Sequence, residues 1–297
     1  MNGCLVVGQR IGRLGNQIYL LAHLLALHQA NGICFAHPAL GTYGQFFQGT
    51  CSDPLARYPA PGGSVLARFI PRSACYYGIR LLDKTKIIGR PGCTNFLRAD
   101  YREVVDLADT AFLERVRKHS RFWLLGGWLF RYPTITKEFL PAARRFFALC
   151  EPYTSRVSKL VSQARQGNDI LVGVHIRQTD FKEHSGGKYY FTTEQYAEVM
   201  QRTSALFQDR SLRFLVVSDE PKTLSDFPGL RCAFGTSSPV EDMYALGSCD
   251  YIISSYGSSF SAWPSFLYER PAYRIQDAGH QLTLDDFQYN TDPWQMV

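Results

Sequence analysis

The chain has 297 residues, 45% of them hydrophobic and 20% charged, with a formal net charge of +6. That composition excludes a disordered or disulfide-dependent chain and allows one large core or two ordinary ones. Arginine carries the charge, yet the only adjacent arginine pair is Arg144–Arg145, so no basic run points to nucleic acid.

The chain opens with "CLVVG" (4–8), a short apolar run suited to a doubly buried strand. Helical spacing follows over 15–32 and closes on Asn31–Gly32, a normal helix stop. "ICFA" (33–36) completes a βαβ unit. "PAPGGS" (59–64) is loop punctuation, and the stretches 65–73 and 76–83 fit helix or strand equally. Residues 102–119 have helical spacing, and "RFWLLGGW" (121–128) suits a strand and turn. Two more helices are expected over 136–149 and 154–166, with a domain change near 168. From there strands at 169–177, 213–219, 230–234 and 251–255 alternate with helices at 192–207, 221–227, 239–249 and 258–268, the last cut by Pro264. Regular alternation predicts a parallel, doubly wound sheet, whose ligands sit at the strands' carboxyl ends. The expected fold class is therefore α/β, with two Rossmann-type halves, 1–167 and 168–297, and a cleft between them.

Eight cysteines occur without a CxxC and mostly in apolar surroundings, which suits reduced, buried thiols. "MNGCLVVG" has no basic n-region, and the apolar segment 122–130 is too short to span a bilayer. A soluble cytoplasmic protein is expected.

Chemistry concentrates in three places. The loop "GQRIGRLGNQ" (8–17) lacks the G-x-G-x-x-G spacing, and no P-loop exists anywhere. It nevertheless leads flexible backbone, Arg10, Arg13 and Asn16 to a helix start, which suits an anion or polyol; a plain strand–helix turn reads equally well. "GVHIRQTDF" (173–181) places His175 and Arg177 two apart, hence on one face at a strand's carboxyl end. An arginine there can grip a diphosphate, while Asp180 can hold that guanidinium or act on an acceptor. Glu183 and His184 lie just beyond. The alternative is a structural Arg–Asp pair beside a satisfied histidine. Near the C-terminus, "PVEDMYAL" puts Glu241 and Asp242 in a helix's first turn, and "YGSSFSAW" leads Ser258, Ser259 and Ser261 into another. A carboxylate there can accept guanine's two N–H donors or simply stabilise the helix dipole. The serines can bind phosphate or merely cap. No D-x-D and no clustered His/Cys metal set is present, so a nucleotide leaving group would be neutralised by arginine and helix termini.

"GRLGNQ", "HIRQTD" with "GGKYYF", and "EDMYALGSCDYIISSYGSSFSAW", in that order, resemble the bacterial α-1,2-fucosyltransferase family. They also resemble the wider superfamily that includes the α-1,6- and protein O-fucosyltransferases. Residues 45–165 add little. The resemblance implies a GT-B-like fold, GDP-β-L-fucose held mostly by the C-terminal half, and inverting transfer to a glycan hydroxyl, in this family the 2-OH of galactose, without a metal or other cofactor. Arg177 resembles the arginine on the β-phosphate and glycosidic oxygen, and His175 the histidine beside the nucleotide. Asp242 resembles the guanine-reading acid, Ser258 and Ser259 the phosphate-binding hydroxyls, and Gly12, Arg13, Gly15 and Asn16 the loop that closes over the donor. Asp180 ranks first as acceptor base. Gln178 departs from the pattern, since many relatives carry a second arginine there. The implied partners are GDP-fucose and an oligosaccharide or lipid-linked acceptor. A lipid-linked acceptor would bring the protein to the inner face of the membrane through Trp128, Phe130 or "RRFF" (144–147), although ordinary core packing is the commoner fate of each of those aromatics. The rival readings are a glycosyltransferase using another nucleotide sugar and a nucleotide- or glycan-binding protein without turnover.

Overall fold

The computed structural model describes residues 3–61, 70–84, 95–98, 103–118, 122–127, 129–133 and 137–290. The chain divides into two compact units, Met1–Cys150 and Glu151–Val297. This boundary falls before the expected one at 167/168. The reason is packing: the helix α5 (Tyr153–Arg165) lies against elements of the second unit, so it belongs there.

The first unit is built on β1 (Cys4–Val7), α1 (Leu14–Asn31) and β2 (Cys34–Ala36). Nearly every residue of α1 from Leu14 to Leu27 is buried, as the all-round hydrophobic sequence requires of a central helix. Gly32 ends it in the left-handed region, its N–H donating to the His28 carbonyl. β3 (Arg57–Tyr58), α2 (Arg72–Lys84), β4 (Asn95–Arg98), β5 (Val105–Asp106), α3 (Thr110–Lys118), β6 (Phe122–Gly126), β7 (Phe130–Arg131) and α4 (Leu140–Phe146) follow. The ambiguous stretch at 76–83 is thus helical. The sheet order is β3-β2-β1-β6-β4, parallel except for the edge strand β3.

The second unit holds α5, β8 (Ile170–Ile176), α6 (Thr193–Leu206), β9 (Leu212–Ser218), β10 (Cys232–Phe234), α7 (Pro239–Gly247), β11 (Tyr251–Ser255), α8 (Ser259–Leu267) and β12 (Ala272–Ile275). Its five strands are all parallel in the order β10-β9-β8-β11-β12. Every residue of β8 is buried, which is why it reads as an unbroken apolar run. Period-2 alternation splits that run between two cores. Ile170, Val172, Val174 and Ile176 pack with Tyr196, Val199 and Met200 of α6. The opposite face meets the smaller cluster of Val217, Leu246, Ile252 and Ala272, with Phe260 against it. α6 starts with a full capping box, in which Thr192 Oγ1 accepts from the Gln195 N–H and the Gln195 side chain accepts from the Thr192 N–H.

One expectation needs correction. Pro264 does not cut the last helix: α8 runs through it to Leu267, held by the burial of Trp263, Phe266 and Leu267. The Tyr268 N–H closes back on the Pro264 carbonyl at 3.1 Å. Of the aromatics weighed between membrane contact and core packing, Phe130, Phe146 and Phe147 are core residues, and Phe147 packs edge-on against Phe47, with ring centres 5.7 Å apart. Trp128 lies outside the described residues. Among the described residues no helix is long and apolar enough to cross a membrane.

Candidate functional site

In the second unit the chain runs from β8 outward through β9 to β10, then returns to the other side of β8 as β11 and β12. The turn-back leaves a switch point between the carboxyl ends of β8 and β11, the place where open α/β sheets bind ligands. His175 and Ser258 are brought together there, although 83 residues separate them in sequence, with Ser258 Oγ 3.3 Å from His175 Nδ1. The register pairs Ser254 with His175, which sets the two loops side by side.

His175 sits on the β8 face turned away from α6. Its ring stacks on Phe260 of α8 at 4.6 Å. Burial first, and the nearby Arg177 charge second, lower its pKa to about 3. The ring is therefore neutral at physiological pH, with one nitrogen donating and one accepting. Ser258 is the N-cap of α8 and Ser259 its first residue; both are buried, so the helix begins with small side chains and backbone N–H groups together.

Arg177 follows β8 directly. Its Nε–H donates to Asp180 Oδ1 at 2.9 Å and Nη2 to Asp180 Oδ2 at 2.6 Å. The guanidinium also lies 4.4 Å from the centre of the Phe181 ring. A fork held on one edge by a carboxylate and on its face by an aromatic ring is pre-oriented. Asp180 does not use the Nη1 edge. The pair is not sealed: side-chain exposure is 19% for Arg177 and 40% for Asp180. Asp180, expected first as an acceptor base, thus has both oxygens committed to the guanidinium. Its carbonyl accepts the N–H groups of Glu183 and His184, and His184 stacks on Phe181 at 5.3 Å, so this turn is a single packed block.

Asp219, at the end of β9, shapes the same turn and carried no signal in the sequence. Its Oδ1 accepts the Gln178 N–H at 2.9 Å, and its Oδ2 accepts both the Thr179 N–H and the Thr179 hydroxyl. Only the β8–β9 register, which pairs Ile176 with Ser218, brings it within reach. Asp219→Asn replaces an acceptor with an amide that faces N–H donors. Hydrogen bonds to a charged group contribute about 1.5–3 kcal/mol, so we expect the variant to be less stable by about that amount. Thermal unfolding of the variant checks this; an unchanged Tm would free the turn from dependence on Asp219.

Gln178, the departure within "HIRQTD", turns the other way. Its Nε2 donates to the Phe191 carbonyl at 2.9 Å, and its Oε1 accepts from Lys222 Nζ at 2.7 Å. Lys222 also donates to Thr193 Oγ1 at 3.1 Å. The alternation past Arg177 sends this side chain inward, where it ties the turn to the start of α6.

Asp242 lies in the first turn of α7 and is buried. Its Oδ1 accepts the Thr236 N–H at 2.6 Å and the Thr236 hydroxyl at 3.0 Å. Burial raises its carboxyl above the ordinary value, while those donors act in the other direction. The loop can approach this closely because residue 235 is glycine: a Cβ there would sit 2.6 Å from Oδ1. Its neighbour Glu241 is instead engaged by Arg156 Nη1 at 3.4 Å, so only Asp242 faces the 235–236 loop.

The N-terminal loop belongs to the first unit. α1 begins at Leu14, so Gly15 and Asn16 are already helical and Arg13 is its N-cap, without a side-chain capping bond. Gly12 has φ +72°, and the Asn16 side chain lies where its Cβ would be. Gln17 Nε2 donates to the Ile11 carbonyl at 2.6 Å, folding the loop onto the helix start. Arg10 Nε donates to the Ala39 carbonyl at 2.9 Å, and its guanidinium lies 4.9 Å from the Tyr76 ring centre. Among the described residues no group of three His, Cys, Asp or Glu side chains is arranged to hold a metal ion.

No family model matches the sequence, and no curated protein matches it. Solved structures do match in fold. The chain is similar to FUT1 of Arabidopsis thaliana in complex with GDP, with a TM-score of 0.55 and 14% identity, over 93% of this chain and 72% of that one. POFUT1 in complex with GDP matches at a TM-score of 0.56 and 12% identity, over 91% and 98%. The fucosyltransferase NodZ from Bradyrhizobium matches at 0.56 and 14%, over 94% and 97%. The fold is thus the α/β GT-B type of these structures.

Proposed function

We propose that this chain is an inverting fucosyltransferase that moves L-fucose from GDP-β-L-fucose to a glycan hydroxyl, in the reading its motifs favour the 2-OH of galactose. The observation that carries the proposal is the Arg177 fork, oriented by Asp180 and Phe181 at the sheet's switch point beside His175 and the start of α8. The neighbours in fold whose structures contain GDP support it.

The chemistry follows from where charge develops. As the C1–O bond breaks, the diphosphate gains negative charge and the sugar becomes oxocarbenium-like. A guanidinium already aimed at that oxygen stabilises the transition state more than the ground state. The N-terminal N–H groups of α8 and the Ser258 and Ser259 hydroxyls take phosphate oxygens. Neutral His175 packs the nucleotide side without adding a charge that would resist departure of GDP. Asp242 accepts the N1–H and 2-amino donors of guanine. Asp180 acts as the positioning partner of Arg177.

A thermal-shift series tests the donor. GDP at about 100 times its Kd contributes about 2.7 kcal/mol, which raises Tm by roughly 5 °C or more in a protein of this size. UDP and ADP at the same concentration are expected to shift it far less. Equal shifts would favour a transferase using another nucleotide sugar. Binding of GDP-fucose with no GDP released on a panel of sugars would favour a protein without turnover. The same incubation, with product linkage read by NMR, checks the α-1,2 assignment and the inversion.

A further inference from the structure

We propose that Cys51 and Cys150 form a thiol–disulfide site within the first unit, closed by a low-molecular-weight disulfide and reopened by a dithiol. It stands independently of the transferase reading.

Backbone pairing brings the two residues together. Phe47 and Leu149 form an antiparallel bridge, the Gln48 N–H donates to the Ala148 carbonyl at 2.8 Å, and the Cys150 N–H donates to the Phe46 carbonyl at 2.8 Å. The chain then turns, and the Cys51 N–H returns to the Phe47 carbonyl at 2.8 Å. Cys51 is thereby folded over the edge on which Cys150 pairs. Two side chains hold the turn: Thr50 Oγ1 donates to the Gly44 carbonyl at 2.7 Å, and Arg72 Nη2 donates to the carbonyls of Thr50 and Cys51 at 2.7 and 2.8 Å. Both cysteines are free thiols, and they lie close enough for Cys51 to add to the burial that raises the Cys150 thiol.

The environments divide the labour. Cys51 is exposed and meets a dissolved reagent first. Cys150 is half-buried, and burial pushes its thiol up to about 12, so it reacts poorly with a reagent in solution. In the first step the Cys51 thiolate attacks one sulfur of the small disulfide, whose other half leaves as a thiolate. Cys150 then loses its proton to that leaving thiolate and attacks Cys51 Sγ, expelling the second half. Two protein thiols and one small disulfide become one protein disulfide and two small thiols. Because the backbone pairing fixes both residues near one another, the second step is intramolecular and outruns attack by free thiol. The resulting link closes residues 51–150, two thirds of the first unit, into one long loop, the arrangement that most restricts an unfolded chain.

The experiment incubates the full chain with oxidised glutathione, alkylates the remaining thiols and maps peptides without reduction. The expected result is a Cys51 peptide joined to a Cys150 peptide, reversed by dithiothreitol, with a Tm about 5 °C above that of the reduced chain. Cys150→Ser should instead accumulate glutathione on Cys51, and Cys51→Ser should leave Cys150 unmodified. A persistent glutathione adduct on wild-type Cys51 would overturn the proposal. So would a link to Cys75, the other thiol beside Arg72, or no loss of thiols.

Discussion

Arg177→Ala is expected, on the proposed transferase reading, to lower kcat/KM for GDP-fucose by at least ~100-fold, the range seen when one oxyanion donor is removed. The argument is differential. In the ground state the fork meets a diphosphate whose charge is already spread; in the transition state it meets an oxygen gaining charge from the breaking bond. Truncation also strands Asp180, which now gives both oxygens to the guanidinium, so part of the effect belongs to the turn. Arg177→Lys separates the contributions. Lysine keeps the charge but cannot reach Asp180 and the leaving oxygen through two edges of one plane. It should recover binding of GDP while kcat stays depressed by tenfold or more. Kinetics of both variants, with GDP binding measured alongside, decides the matter. Near-normal turnover of the alanine variant would remove Arg177 from the chemistry.

Asp242→Asn is expected to abolish the preference for guanine. A carboxylate accepts both donors on guanine's edge; an asparagine offers one acceptor and one donor, and its donor opposes the base. The lost charge-assisted contact is worth about 1.5–3 kcal/mol, or roughly 10- to 150-fold in donor KM. The diagnostic ligand is IDP, whose base lacks the 2-amino group. The wild-type chain should bind GDP tighter than IDP by about tenfold or more, and the variant should bind the two nearly equally. The Thr236 contacts complicate a simple loss-of-affinity assay, because the same carboxylate holds the 235–236 loop. The ratio of the two nucleotides is insensitive to that shared cost. A variant that retains the wild-type ratio would take Asp242 out of base reading and leave it as a loop anchor.

Much of the second unit was legible in the sequence because its cues are local. The β8 run and the Ser258 helix start each lie within a few residues of the feature they specify. The strand β12 carries no local signal, since "AYRI" is short and follows Arg270–Pro271 without a turn signal of its own. α2 stayed ambiguous because aromatic and branched residues there suit a strand as well as the helix they form. The boundary between the compact units falls before α5 and not after it, and nothing in α5 itself says which sheet it packs on.

The sequence by itself determined the alternation of strands and helices in the second unit and the placing of His175 and Arg177 at one strand's carboxyl end, since both follow from periodicities of two and about 3.6 residues. Tertiary structure alone decided the strand order β10-β9-β8-β11-β12, and with it the meeting of His175 with Ser258 and of Asp219 with Thr179. It also decided that Asp180 clasps Arg177 and that Gln178 turns inward to Lys222. The physical reason is that strand neighbours are chosen by which apolar faces bury each other, across separations that no local pattern records, and each polar side chain then takes whichever partner that packing brings within reach.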